Sequence, residues 1–94
     1  MIVSWTPRAL ADATAVPSRI SRDDPGAADR LEARLLAVVE ETLVAQPHIG
    51  RPGRVAETRE FVVHPSCILV YRVRGEALEL LAFRHVARRW PEAF

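Results

Sequence analysis

His85 and Arg88 stand three residues apart in the run His85-Val86-Ala87-Arg88-Arg89-Trp90-Pro91, and on a short helix that spacing puts both side chains on one face. Imidazole is the side chain that most readily exchanges a proton near neutral pH, so His85 is the natural proton-transfer group, with Arg88 a fixed cation for a phosphate or a carboxylate. The plainer reading is that His85 caps a strand with a backbone hydrogen bond and Arg88 forms a salt bridge. Residues 49–91 carry eight of the thirteen arginines, and the chain contains no lysine. Arginine forks onto carboxylates and phosphates but stays charged, which makes it a poor acid or base. Arg51 and Arg54 flank a Gly-Pro loop and, with Arg88, Arg89 and Trp90, are the residues suited to gripping an acidic partner or phosphates. Trp90-Pro91 fits an anchor for the chain's end better than a stacking platform, and Tyr71, within an apolar run, fits the core better than catalysis.

Other chemistries find no support. His48, His64 and His85 are 16 and 21 residues apart and accompanied by one cysteine, a spacing that matches no zinc site, so no metal and no cofactor is expected. There is no Gly-rich phosphate loop and no nucleophile elbow, and Ser66 sits in a turn without a base nearby in sequence. Cys67 lies in the run Cys-Ile-Leu-Val-Tyr-Arg-Val and reads as a small buried hydrophobe.

Ninety-four residues make a single domain spanning residues 1–94, with a thin core, since a chain this short buries only about 60–65% of its unfolded surface. The composition, 49% hydrophobic and 27% charged, is that of a globular domain. No apolar run reaches the roughly 18 residues of a membrane span. The beginning, Met-Ile-Val-Ser-Trp-Thr-Pro-Arg, lacks the pattern of a signal peptide, so a cytoplasmic location is expected. The net charge of +1 hides an asymmetry: residues 1–49 carry five Arg against seven acidic residues, and residues 50–94 eight Arg against five.

These residues need a scaffold. Residues 2–5 read as a short strand, and Thr6-Pro7 pairs an N-cap residue with proline at the first helical position. The helix so begun should bend near Pro17 or stop before it. Asp24-Pro25 repeats the start signal, and Leu31, Leu35, Val38, Val39 and Leu43 mark the apolar stripe of a longer helix that should end near Gln46. Two prolines and two glycines in residues 47–53 predict an irregular loop. Strands are expected at 58–64, 67–74 and 77–84, with turns at Pro65-Ser66 and Gly75-Glu76 tight enough to make them antiparallel neighbours. The strand at 67–74 is apolar on both faces at its centre, so both need cover. The helices can cover one, and a partner part of the other.

An α+β order of strand, helix hairpin and three-stranded antiparallel meander, ended by a short C-terminal helix, carries the blocks Trp5-Thr6-Pro7, Gly50 to Val55, Thr58-Arg59-Glu60, Val70-Tyr71-Arg72-Val73 and His85 to Pro91. In that order they resemble the RelE/ParE family of toxins from bacterial type II toxin-antitoxin modules. The resemblance covers almost the whole chain. It implies a growth-inhibiting toxin held inactive, as a hetero-oligomer, by a cognate antitoxin that wraps around it.

The resemblance also implies two possible targets. RelE-like members are endoribonucleases that cut messenger RNA at the ribosome, which needs a proton acceptor, cations on the phosphate and a donor for the leaving oxygen. ParE-like members bind DNA gyrase. In the first case His85 would move the proton and Arg59, Arg72 and Arg88 would hold the phosphate. The RelE-like set uses lysines and a tyrosine near the C-terminus; here no lysine exists and no tyrosine follows His85. The sequence therefore favours a ParE-like protein that binds gyrase without catalysis, with ribosome-dependent mRNA cleavage as the alternative. A nuclease requires His85 and at least two of those arginines to converge on one open face.

Overall fold

The computed structural model describes residues 1–86; the expected C-terminal helix, with Arg88, Arg89 and Trp90, lies outside them. The chain forms β1 (Ile2–Trp5), α1 (Pro7–Ile20), α2 (Pro25–Ala37), a π-helical continuation (Val38–Leu43), β2 (Arg51–Pro52), β3 (Arg59–His64), β4 (Cys67–Arg74) and β5 (Ala77–His85). The sheet has five strands in the order β1-β5-β4-β3-β2. The meander β3-β4-β5 is antiparallel as expected, but the sheet is wider than three strands. β1 adds to it parallel to β5, and Arg51–Pro52 pairs with β3 inside the stretch expected to be irregular.

Thr6 joins helix to sheet. Its hydroxyl accepts from Ala9 N–H at 3.1 Å, capping α1, and donates to the Leu80 carbonyl of β5 at 2.9 Å. Pro7 then fills the first helical position, where a missing N–H costs nothing. α1 continues through Pro17 to Ile20 and so does not stop before it, one of the two expected outcomes. Pro17 forgoes the N–H bond to the carbonyl of residue 13, but its own carbonyl still accepts from Ser21 N–H at 2.9 Å, and it is buried with Val16, so packing offsets the loss.

α2 starts at Asp24, whose Oδ1 accepts from Ala27 N–H at 3.2 Å. Its buried residues Leu31, Leu35, Val39 and Leu43 recur every four positions, a spacing that drifts round an α-helix by about 40° per step. The wider π-helical turn, with Val44 N–H bonded to Val39 C=O at 3.3 Å, counters that drift and keeps Val39 and Leu43 against the sheet.

On the helix-facing side, Cys67, Leu69 and Tyr71 of β4 pack with Leu78, Leu80 and Phe83 of β5 and with the apolar stripes of the helices. Trp5 packs against this core from β1. Cys67 is buried, and burial pushes its thiol up to about 11, which leaves it a neutral packing group. A smaller cluster of Ile68, Val70, Leu81 and Ala82 is buried separately, and alternation along β4 puts it on the opposite face. β5 accommodates this by a bulge: Val70 pairs with Ala82 and Tyr71 with Leu80, which leaves Leu81 extra. The Phe83 N–H beside it donates to Asp12 of α1 at 3.1 Å. No helix among the described residues is long and apolar enough to cross a membrane.

Because the Thr6 hydroxyl serves helix and sheet together, Thr6→Ala should lower unfolding stability by about 1–2 kcal/mol, read as a fall in the urea midpoint with an unchanged slope.

Candidate functional site

The segment between the π-helical turn and β3 is where the sequence concentrates its unusual residues, and four side chains from the meander hold it. Tyr71 of β4 is fully buried. Its hydroxyl donates to Pro47 C=O at 2.8 Å and accepts from Gly50 N–H at 2.9 Å. A Cβ at position 50 would stand 2.5 Å from that hydroxyl, so only glycine lets the loop come so close. Burial pushes the Tyr71 phenol above its ordinary value, against the downward pulls of the Gly50 N–H and the Arg59 guanidinium. The phenol is therefore a proton-bearing donor.

Arg59, directly across from Tyr71 in the β3–β4 register, donates through Nη1 to His48 C=O at 3.0 Å and Gly50 C=O at 2.8 Å. It binds carbonyls. The carboxylate beside it, Glu60, is 3% exposed and points to the other side of β3. Glu60 takes the Arg51 guanidinium at 3.2 Å and the Arg54 backbone N–H at 3.0 Å. Thr58 closes the far end: Gly53 N–H bonds its carbonyl at 2.7 Å, and its hydroxyl donates to Val55 C=O at 2.6 Å. Glu57 completes the return in a left-handed conformation, φ 66°.

Among the described residues, the candidates for RNA chemistry, His85, Arg59 and Arg72, do not meet. Arg72 lies on the face of β4 opposite Tyr71, and its Nε donates to Glu79 of β5 at 2.5 Å, with Arg74 also within 3.6 Å of that carboxylate. The Arg72 hydrogen bond, and after it the charges of Arg72 and Arg74, lower the Glu79 pKa. His85 shares Arg59's face but pairs with Cys67, four positions along β4 from the residue Arg59 pairs with, which puts the two roughly 13 Å apart along the strands and two strands apart across them. It lines a cleft with Val16, Arg19 and Ile20. Arg88, Arg89 and Trp90 lie outside the described residues. Arg54 keeps an exposed side chain, and Arg51 is half exposed beside Glu60. No group of three or more potential metal ligands occurs among the described residues.

Sequence reasoning did not foresee the clamp. Thr58, Glu60 and Tyr71 entered only as parts of recurring blocks or as core, although a polar triplet directly after a Gly-Pro loop, and one phenol in an apolar strand, were the available signals.

With this geometry in view, the comparisons are consistent. Residues 3–90 match the ParE toxin family of the parDE type II toxin-antitoxin system, and the chain belongs to this family, within the wider RelE/ParE group. It is similar to Y4kP of Sinorhizobium fredii, 37% identical over 91 residues covering 96% of this chain and 93% of the relative. It is also similar to toxin RelE2 of Caulobacter vibrioides, 38% identical over 86 residues covering 92% and 96%. Among solved structures, a chain of the chromosomal ParDE TA system from P. aeruginosa superposes with a TM-score of 0.76 at 25% identity, covering 92% of this chain and 96% of that one.

Tyr71→Phe strips the Pro47 carbonyl and Gly50 N–H of their buried partner and should cost about 1–3 kcal/mol. Hydrogen exchange at Gly50 should accelerate more than at the β4–β5 ladder. A second expectation concerns acid. Because the folded-state pKa of Glu79 is depressed, its contribution is present above the ordinary Glu range and is lost as pH falls through the lowered folded value. Urea midpoints of the wild type and Glu79→Gln should therefore differ at pH 6 and converge toward pH 3.

Proposed function

We propose that this chain is the toxin of a type II module that arrests growth by binding DNA gyrase in the cytoplasm, and that a cognate antitoxin neutralises it by direct binding. The observation that carries the non-catalytic reading is the fate of the three described residues a nuclease would use. The Arg59 guanidinium is engaged by two loop carbonyls, Arg72 is paired with Glu79 on the opposite face, and His85 stands at the far end of the sheet. General acid–base catalysis needs the acid, the base and the phosphate cations within hydrogen-bond reach of one substrate. Here the proton-transfer candidate lies four register positions, roughly 13 Å, along the sheet from Arg59 and two strands across from it.

The clamped loop supports a binding role. It displays Arg51 and Arg54 on a backbone whose shape is fixed from beneath by Tyr71, Arg59 and Glu60, and preorganised cations of this kind suit an acidic protein surface. Membership of the ParE family points the same way. The rival, ribosome-dependent mRNA cleavage, draws on the likeness to a relative named RelE2.

Controlled expression without antitoxin separates the two. The expected result is filamentation and double-strand DNA breaks with intact transcripts, and relief of both by Arg54→Glu. Transcript cleavage at ribosomes that disappears in His85→Ala would reverse the conclusion.

A further inference from the structure

At the sheet end remote from the clamped loop, His64, Cys67 and His85 lie in one row across β3, β4 and β5, on the side that faces the helices. Cys67 is buried between them, and the two histidines border a two-lobed cleft under the α1–α2 hairpin. One lobe, about 340 Å³, has Ile20 and Leu31 as apolar lining and Ser21, Arg30, Arg34 and His64 as polar lining. The other, about 210 Å³, is bordered by Val16, Ile20, Arg19 and His85. Ile20 belongs to both, so the lobes adjoin.

The charge of this cleft is one-sided. None of the described residues bordering either lobe is acidic. Asp24, which reaches Arg30 with Oδ2 at 3.5 Å, also caps α2 through Oδ1 on Ala27 N–H, so it steers that guanidinium. Gly26 leaves room for it: a Cβ there would stand 3.2 Å from Arg30 Nη1. Arg30 and Arg34 are one helical turn apart and therefore share a face. The His64 Nδ1 accepts from Ser66 N–H at 3.0 Å, so the neutral ring carries its proton on Nε2 and can offer it to the lobe. Two forked guanidinium groups, an imidazole N–H and the Ser21 hydroxyl thus border one small concavity.

We propose that this cleft binds a small phosphorylated ligand, its phosphate held by Arg30, Arg34 and His64. Planar Arg donors match tetrahedral phosphate oxygens two at a time. The combined volume is of the size that small-molecule pockets take, with apolar lining and a few convergent polar groups. The adjoining lobe, with Ile20 and Val16 beside Arg19 and His85, suits a flat apolar group attached to that phosphate.

The site is tested by isothermal titration of the purified chain with inorganic phosphate, pyrophosphate and ADP at two salt concentrations. Saturable one-to-one binding is expected. It should be weakened about tenfold or more by Arg34→Gln and by Arg30→Gln, and left unchanged by Arg74→Gln, whose position is roughly 23 Å away along β4. Unfolding midpoints of the variants check that the fold is retained. Tighter binding of ADP than of pyrophosphate would assign the ligand to nucleotides, and equal binding to inorganic phosphates; both support the site. Three results would overturn it: no saturable binding of any of the three; equal weakening by Arg34→Gln and Arg74→Gln; or displacement of the cleft amides by a glutamate-rich peptide but not by phosphates.

Discussion

A single phenolic hydroxyl, buried and bonded at both ends, ties the loop to the sheet. Tyr71 hydrogen-bonds the loop twice, at Pro47 and Gly50, from the centre of an apolar strand. Inside a protein such a group is costly unless fully partnered, and once partnered it is hard to displace. Arg59 and Glu60 extend the constraint to either side of the neighbouring strand, one binding carbonyls and the other binding a guanidinium and an N–H. A stretch with two prolines and two glycines, which has little reason to hold one shape alone, thereby becomes rigid enough to contribute a strand of its own at Arg51–Pro52.

This arrangement changes what the arginines mean. Counted along the chain, they resemble a phosphate-binding surface. In three dimensions they divide into cations that hold the protein together and cations that face outward. Arg59 and Arg72 belong to the first kind, bound to carbonyls and to Glu79. Arg54, exposed on the loop, and Arg34, exposed over the cleft, belong to the second. The near-neutral net charge is consistent with that division, since a good part of the positive charge is matched locally.

Much of the scaffold was legible because its signals are local. Thr6-Pro7 and Asp24-Pro25 mark both helix starts, and Pro65-Ser66 and Gly75-Glu76 mark both hairpins, so β4 appears with its predicted ends. What stayed hidden depends on distant residues. The parallel pairing of β1 with β5 and the bulge at Leu81 are settled by Thr6 and Asp12 acting across more than 70 residues, and the short strand at Arg51–Pro52 exists only because β3 offers a partner. The passage of α1 through Pro17 reflects packing overriding a local rule. For the candidate site, the residue types were visible but their orientation was not. The same arginine could face substrate or backbone, and alternation along a strand does not say which.

The parallel pairing of β1 with β5 has a consequence for synthesis. Among the described strands β1 comes first in the chain and pairs with the last, β5, so their ladder cannot form until residues 77–80 have been translated. Long-range pairings of this kind form late and leave apolar edges open meanwhile. During that interval α1 also lacks its anchorage, since Thr6 and Asp12 fasten to β5. Until β5 emerges, β1 and the start of α1 thus lack the partners that fix them, and both join the sheet at the same late point.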